Sequence, residues 1–233
     1  VNKGQLDQYK KILPNGNSLG IKITYKEQEE PNGLPEAFII GESFINKENV
    51  ALILGDNFFY GQNLSNLLKT SVKLKDGAQI VLHKVNKPEL YGVASINKKK
   101  ITKIIEKPNK FISDKAITGF YFFDNKVVEY SKKLKKSKRK ELEITDLLYL
   151  YHKQNKLSYK ELGRGAVWLD TGSIEDFYNA SSFVSTIENR QGIKIACLEE
   201  ISLRNKWITK KDLKKSIKFY GDCTYSSYLK KFI

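Results

Sequence analysis

The chain has 233 residues, 40% hydrophobic and 29% charged, enough for one substantial core or a large domain with a smaller appendage. No apolar run approaches the roughly 18 residues of a membrane span, and the N-terminus (VNKGQ) carries no apolar export stretch, so no membrane partner is expected. The net charge of +15 would suit nucleic acid, but the densest cluster, Lys132 to Lys140, holds no aromatic residue to stack on a base, so no nucleic-acid partner is expected.

Cys197 and Cys223 are the only cysteines and form no CxxC pair, which reads as two free thiols in a reducing cytoplasm. Methionine is absent, position 1 included, a first hint that the chain is a fragment.

In chain order, Ile21 to Tyr25 alternate as in a strand, and the turn at Pro31, Asn32 and Gly33 opens a helix with apolar Leu34, Ala37, Phe38, Phe44 and Ile45. Val50 to Leu54 is short and continuously apolar, the pattern of a strand covered on both faces. A helix is expected from Asn63 to Leu74 and a strand over Gln79 to Leu82. Two β-rich runs, Tyr91 to Ile96 and Ile101 to Ile105, flank an Asn-Lys turn and predict a hairpin. Ala116 to Phe123 reads as a strand, followed by helices near 125–134 and 144–155 and a short strand at Val167 to Leu169. A helix from Ile174 to Arg190 places Ile174, Phe177, Ala180, Phe183, Val184 and Ile187 on one face. The basic tail reads as helical, with Ile201, Leu203, Trp207 and Leu213 to bury. Strands alternating with helices imply an α/β fold with a mostly parallel sheet.

Asp56 follows an apolar strand end, where ligands of open α/β sheets sit, and suits a hard cation such as Mg²⁺. It could equally cap the next element. Trp168-Leu169-Asp170-Thr171-Gly172 repeats the arrangement, and two strand-end carboxylates could hold one Mg²⁺ with water and phosphate oxygens. Gln28 has an amide that matches a thymine or uracil edge, and Gly33 permits close backbone approach, though both could belong to an exposed turn. Glu106 and Lys107 could take sugar hydroxyls and a phosphate or form a surface ion pair, and Arg139 could clamp a phosphate or belong to a solvated lysine run. His83 and His152 have no partner spacing and read as structural, and no GxSxG, HExxH or Walker motif supplies a nucleophile.

Nine stretches in order (QEEPNGLPEAFIIGESFI, ALILGDNFFYG, ELYGVASI, EKP, AITGFYFFDN, ELEITD, LGRGAVWLDTG, TIENRQG and CLEEISLR) resemble the glucose-1-phosphate thymidylyltransferases of the sugar nucleotidyltransferase superfamily, from about Ile21 to Arg204. The resemblance implies a Rossmann-like nucleotidyltransferase core over residues 1–190 and a C-terminal helical region over 191–233. It implies the conversion of dTTP and glucose 1-phosphate to dTDP-glucose and pyrophosphate with Mg²⁺, by a homotetramer. By that resemblance Asp56 and Asp170 are metal ligands, Gln28, Gly33, Leu54 and Gly55 contact the nucleotide, and Lys107 and Arg139 hold the sugar phosphate. Tyr91, Gly92, Glu106, Ile117 and Tyr121 match the sugar pocket. Tyr60, Gly61, Arg164, Cys197, Glu200, Ile201 and Arg204 match a regulatory nucleotide site between subunits, for which ordinary interface packing is the alternative.

There are departures. The family's first strands and glycine-rich phosphate loop would precede Val1, so about 50–60 residues are expected to be missing and the chain as it stands is expected to be inactive. Lys140 beside Arg139 replaces a small residue, and Ser65 and Asn66 replace polar partners of the regulatory site. Two alternatives stand beside the thymidylyltransferase reading: a uridylyltransferase using UTP, and a non-catalytic fragment that binds sugar phosphate or oligomerises.

Overall fold

A computed structural model describes Val1 to Ile233. It contains two compact units, a larger one over 30–177 and a smaller one made of 1–29 with 178–233; the division expected at residue 190 falls inside the smaller unit.

In the larger unit the sheet is organised around β6 (Lys115–Phe123). Along one edge runs β3 (Ala78–Lys84), with Ala78 opposite Phe123 and Lys84 opposite Lys115. β1 (Val50–Ile53) pairs the far end of β6 through Val50 and Phe123, and β4 (Val93–Asn97) pairs the near end through Val93 and Ala116. β5 (Lys100–Ile105) continues beyond β4, and β7 (Leu157–Glu161) lies beyond β3. A separate ladder joins β2 (Asn57–Tyr60) to β8 (Val167–Asp170).

The α/β class holds, but the expected mostly parallel pairing does not: β3–β7 is the parallel pair and the other pairs are antiparallel. The connections explain this. A tight turn through Lys98 and Lys99, both left-handed (φ 47° and 61°), folds β5 back on β4. The parallel pair β3–β7 cannot be joined by a tight turn, and the chain between the two strands includes β4, β5, β6 and α6 (Ile144–Lys153).

Alternation along the strands sends side chains to two helical layers. Ile80, Leu82, Tyr121 and Phe123 pack with Phe38 of α2 (Glu36–Ile40) and Leu147, Leu148 and Tyr151 of α6. Val81 and Phe122 face the other way, onto Leu67 of α4 (Leu64–Ser71). The helix expected from Gly33 breaks at Gly41 into α2 and α3 (Glu42–Ile45), and the one near 125–134 is α5 (Val127–Lys132). β1 departs from expectation: its residues alternate between half-buried and exposed, because Val50 and Leu52 pack on the core while Ala51 and Ile53, the latter 53% exposed, face away from it. At the base of the sheet the buried Asp124 carboxylate accepts from the Gly77 N–H (2.8 Å), the Lys126 N–H (3.0 Å) and the Tyr151 hydroxyl (2.8 Å).

The smaller unit is helical: α1 (Leu6–Ile12), most of α7 (Ile174–Gln191), α8 (Leu198–Arg204), α9 (Lys210–Tyr220) and α10 (Thr224–Leu229). Its core gathers Cys197, Leu213, Tyr228 and Leu229. α9 starts with a capping box in which Thr209 and Asp212 satisfy each other's backbone N–H. Residues 21–25 are not a strand; the nearby pairing is an isolated parallel bridge, Asn2 to Gln28, and an alternating pattern without a neighbouring strand has nothing to bond. Of the expected apolar face of α7, Ala180 is buried while Ile174 and Phe177 are exposed, since periodicity marks a face but not what covers it. In the tail Leu213 is buried as expected, whereas Ile201 and Trp207 are exposed. No helix is long and apolar enough to cross a membrane.

Candidate active site

The β2–β8 ladder builds the first part of the site. Asn57 stands opposite Asp170, and the next pair is closed by Thr171, whose N–H and hydroxyl both donate to the Asp56 carbonyl at 2.8 Å. Asp56 and Asp170 thus lie at adjacent rungs. Asp170 Oδ1 accepts from the Gly172 N–H at 3.0 Å. Burial pushes the Asp170 carboxyl above the usual carboxylate range; the Asp56 and Asp176 charges add to this, while the Gly172 N–H and Lys107 oppose it.

The second part is the sugar-side cluster. The β4–β6 register and the Ile117 N–H to Gly92 carbonyl bond (2.8 Å) bring Gly92 and Ile117 together. A Cβ on Gly92 would stand 3.0 Å from Glu106 Oε2, 3.1 Å from Thr145 and 3.7 Å from Ile117, so glycine keeps that corner open to the carboxylate. Burial, then the Glu143 charge, raises the proton affinity of Glu106, while Lys107, Arg139 and a Thr145 side-chain hydrogen bond lower it. Tyr121 lies within reach of the same charge: burial and Glu106 push its hydroxyl well above the usual range. Tyr91 packs its ring 5.0 Å from Trp168, and burial followed by Asp170 and Asp176 raises its hydroxyl.

Lys107 links the two parts. It follows β5 in a left-handed conformation (φ 39°), donates its N–H to the Tyr91 carbonyl at 3.1 Å, and its charge acts on both Asp170 and Glu106. Arg139 does not stand in a free lysine run: its guanidinium lies 3.4 Å from Glu141, 3.6 Å from Glu143 and 3.9 Å from Glu106. Ser137 donates to Glu143 at 2.7 Å and so orients that carboxylate.

Leu54 and Gly55 form the turn after β1, with the Leu54 N–H on the Gly119 carbonyl at 2.9 Å. Gly33 is left-handed (φ 103°), and a Cβ there would fall 2.2 Å from the Leu142 carbonyl oxygen, so the loop ahead of α2 rests directly on the segment ahead of α6. Gln28 belongs to the smaller unit, where its N–H bonds the Val1 carbonyl at 2.9 Å.

The regulatory set divides between the units. In the larger one Tyr60 stands opposite Val167, Gly61 approaches Ala166 so closely that a Cβ would meet it at 3.0 Å, and Arg164 is exposed. In the smaller one Cys197 is buried with Sγ 3.2 Å from the Tyr225 hydroxyl, Arg204 pairs Glu200 at 2.6 Å, and Ile201 is exposed.

Sequence reasoning missed Asn57, Thr145 and Trp168 as parts of the cluster. Their signal was present, since each sits inside a motif already singled out, but no motif tells which neighbour of an aspartate faces it.

Asp56 and Asp170 offer oxygen ligands of the kind a hard divalent cation takes, and each leaves room for water and other oxygens around it.

The nucleotidyl transferase family model matches residues 1–187. A glucose-1-phosphate thymidylyltransferase of Neisseria meningitidis serogroup A / serotype 4A is 45% identical over 222 residues, 95% of this chain and 77% of that protein. One from Mycobacterium tuberculosis (strain CDC 1551 / Oshkosh) is 39% identical over the same shares. Among solved structures, one assigned as a glucose-1-phosphate thymidylyltransferase from Bacillus anthracis, in complex with a sucrose, superposes with a TM-score of 0.70 at 35% identity, over 78% of this chain and 73% of that one. A UDP-glucose pyrophosphorylase complexed with UDP-glucose gives 0.62 at 26% identity, over 70% and 66%. The chain belongs to the nucleotidyl transferase family and, within it, to the glucose-1-phosphate thymidylyltransferases.

Proposed function

We propose that this protein transfers a thymidylyl group from dTTP to glucose 1-phosphate, giving dTDP-glucose and pyrophosphate, with Mg²⁺ as cofactor. The observation that carries the reading is Lys107, which is bonded through its N–H to Tyr91 after β5 and whose charge reaches both Asp170 and Glu106, joining a cation site to a hydroxyl-binding site. A sugar-phosphate oxygen attacks the α-phosphorus in line as the bond to the β-phosphate oxygen breaks, and pyrophosphate leaves. The nucleophile is already an anion, so no general base is required; the task is to bring two anions together. Lys107 and Arg139 hold the sugar phosphate, and Glu106 accepts from sugar hydroxyls beside Gly92, Ile117, Tyr91 and Tyr121. Gly33, Leu54 and Gly55 receive the nucleoside. Asp56 and Asp170 would hold Mg²⁺, which would supply positive charge against the nucleotide phosphates.

Arg139 among three carboxylates is compatible with this role, because a phosphate dianion competes well for a guanidinium. The active form is a homotetramer with a regulatory nucleotide site to which Tyr60, Gly61 and Arg164 contribute. Two unbridged cysteines support a cytoplasmic setting. The UDP-glucose-bound relative supports a second reading, UTP as donor.

The test is pyrophosphate release with glucose 1-phosphate, Mg²⁺ and dTTP, UTP or CTP in turn. It is run on this chain and on a chimera that also carries the residues of the Neisseria meningitidis relative that this chain does not span. Release with dTTP above UTP supports the reading; release with UTP above dTTP supports the second. No release from a folded chimera would overturn both.

A further inference from the structure

The carboxamide of Asn57 bonds three separate parts of the larger unit. Its Oδ1 accepts from the Trp168 indole N–H on β8 at 2.6 Å and from the Gly119 N–H on β6 at 3.0 Å. Its Nδ2 donates to Asp56 Oδ1 at 2.8 Å. The partners fix which way the amide faces: an indole and a peptide N–H can only donate, and an ionised carboxylate can only accept. Among side chains of this size only asparagine offers a double acceptor on one side and a donor on the other. Aspartate would keep the Gly119 and Trp168 contacts but turn a second acceptor toward Asp56. The seat is shaped for the group as well, because a Cβ on Gly119 would stand 2.5 Å from Asn57 Oδ1 and 2.8 Å from Leu54.

We propose that Asn57 is a positioning residue for the cation ligand Asp56. Asp56 lies exposed in the turn between β1 and β2, and an exposed carboxylate is free to rotate unless something holds it. Asn57 engages Oδ1 and ties it to β6 and β8, which leaves Oδ2 for a cation in a fixed place relative to Asp170. Thr171, bonded twice to the Asp56 carbonyl, fixes the backbone while Asn57 fixes the side chain. This inference rests on the reading of Asp56 and Asp170 as cation ligands.

The experiment measures Mn²⁺ affinity of the 233-residue chain by the loss of the free-ion electron paramagnetic resonance signal, with circular dichroism to confirm folding. Asp56→Ala is expected to weaken binding. Asn57→Ala is expected to weaken it about tenfold, the low end for loss of an outer partner of a metal ligand. In the Asp56→Ala background Asn57→Ala is expected to add nothing, because the residue acts through Asp56; a merely structural role would add a further loss. Gly119→Ala keeps Asn57, Asp56 and Asp170 in the sequence, but its methyl would stand 2.5 Å from Asn57 Oδ1 and so displaces the carboxamide. It is expected to weaken Mn²⁺ binding in the same direction, and it serves if Asn57→Ala does not fold. Unchanged Mn²⁺ affinity in a folded Asn57→Ala chain, while Asp56→Ala weakens it, overturns the positioning role alone, as does an additive loss in the double variant. Unchanged affinity in Asp56→Ala overturns the cation site and this inference with it.

Discussion

Asn57 stands directly opposite Asp170 in the β2–β8 ladder, and that single rung brings two carboxylates distant in sequence within electrostatic range of each other. Neither strand belongs to the main sheet. Their pairing sets the proposed cation site, so small changes there should affect chemistry before they affect the fold.

Asp170→Asn is therefore expected to remove turnover while leaving the fold intact. The amide oxygen can still accept from the Gly172 N–H, but the charge is gone. Loss of one electrostatic contact in a transition state is worth about 10²–10³ in rate. Pyrophosphate release measured beside circular dichroism checks it, in the chain form that turns over. Near-normal turnover in Mg²⁺ by a folded variant would contradict the assignment.

Lys107→Ala is expected to weaken glucose 1-phosphate binding and to leave nucleotide binding nearly unchanged. Its backbone N–H stays on the Tyr91 carbonyl, so the loop keeps its anchor and only the cation is lost. Calorimetric titration with each ligand separates the two affinities. An equal loss for both would place Lys107 on the nucleotide side.

Much of this arrangement was legible in the sequence, and the reason is local. β3, the β4–β5 hairpin, β6 and α6 carry strong periodicity or turn residues, and each lies close to where its pattern put it. β2 was not legible: Asn57, Phe58, Phe59 and Tyr60 are a strand only because β8 arrives beside them, and pairing between distant segments leaves no local trace. The sense of the sheet failed for the same reason, since periodicity reports a strand but not the direction of its neighbour. Glu106 and Lys107 could be picked out as candidates, but the contacts that tune Glu106, Thr145 in the first turn of α6 and Glu143 just ahead of it, are a matter of packing.

Tyr151→Phe is expected to destabilise the larger unit. The Tyr151 hydroxyl donates to the buried Asp124 carboxylate at 2.8 Å, and its ring is fully buried against Phe123 and Tyr130. Phenylalanine keeps the packing and removes one hydrogen bond to a charged group, a loss of about 1.5–3 kcal/mol. Urea unfolding of the two proteins measures it; equal midpoints would show that Asp124 is satisfied without the hydroxyl.

Gly33→Ala is expected to reduce both stability and sugar-phosphate affinity. A left-handed φ of 103° is strained for alanine, at about 1–3 kcal/mol. The added methyl would also meet the Leu142 carbonyl oxygen at 2.2 Å. Relief must move the segment that carries Glu141 and Glu143, the carboxylates beside Arg139. Thermal midpoint and glucose 1-phosphate affinity should fall together, and a variant as stable as the parent would show that the loop can give way freely.

Glu106 should leave a signature in the pH dependence of stability. Burial, reinforced by the Glu143 charge, raises its proton affinity in the folded chain above the ordinary glutamate value, although Lys107, Arg139 and Thr145 pull the other way. The folded state then holds this proton to higher pH than the unfolded state does. Its contribution to stability is fully present below the ordinary value and is lost as pH rises through the folded one. Glu106→Gln cannot ionise, so its advantage over the parent should grow as pH rises above the ordinary glutamate value and level off once the folded parent has lost its proton. The variant keeps an oxygen acceptor near Gly92 but loses the charge that sugar hydroxyls would meet, so glucose 1-phosphate binding should weaken even as the fold gains. Urea unfolding of both proteins across that range gives the slope, and calorimetry gives the affinity. A stability difference independent of pH would mean that Lys107 and Arg139 fully offset the burial of the carboxylate.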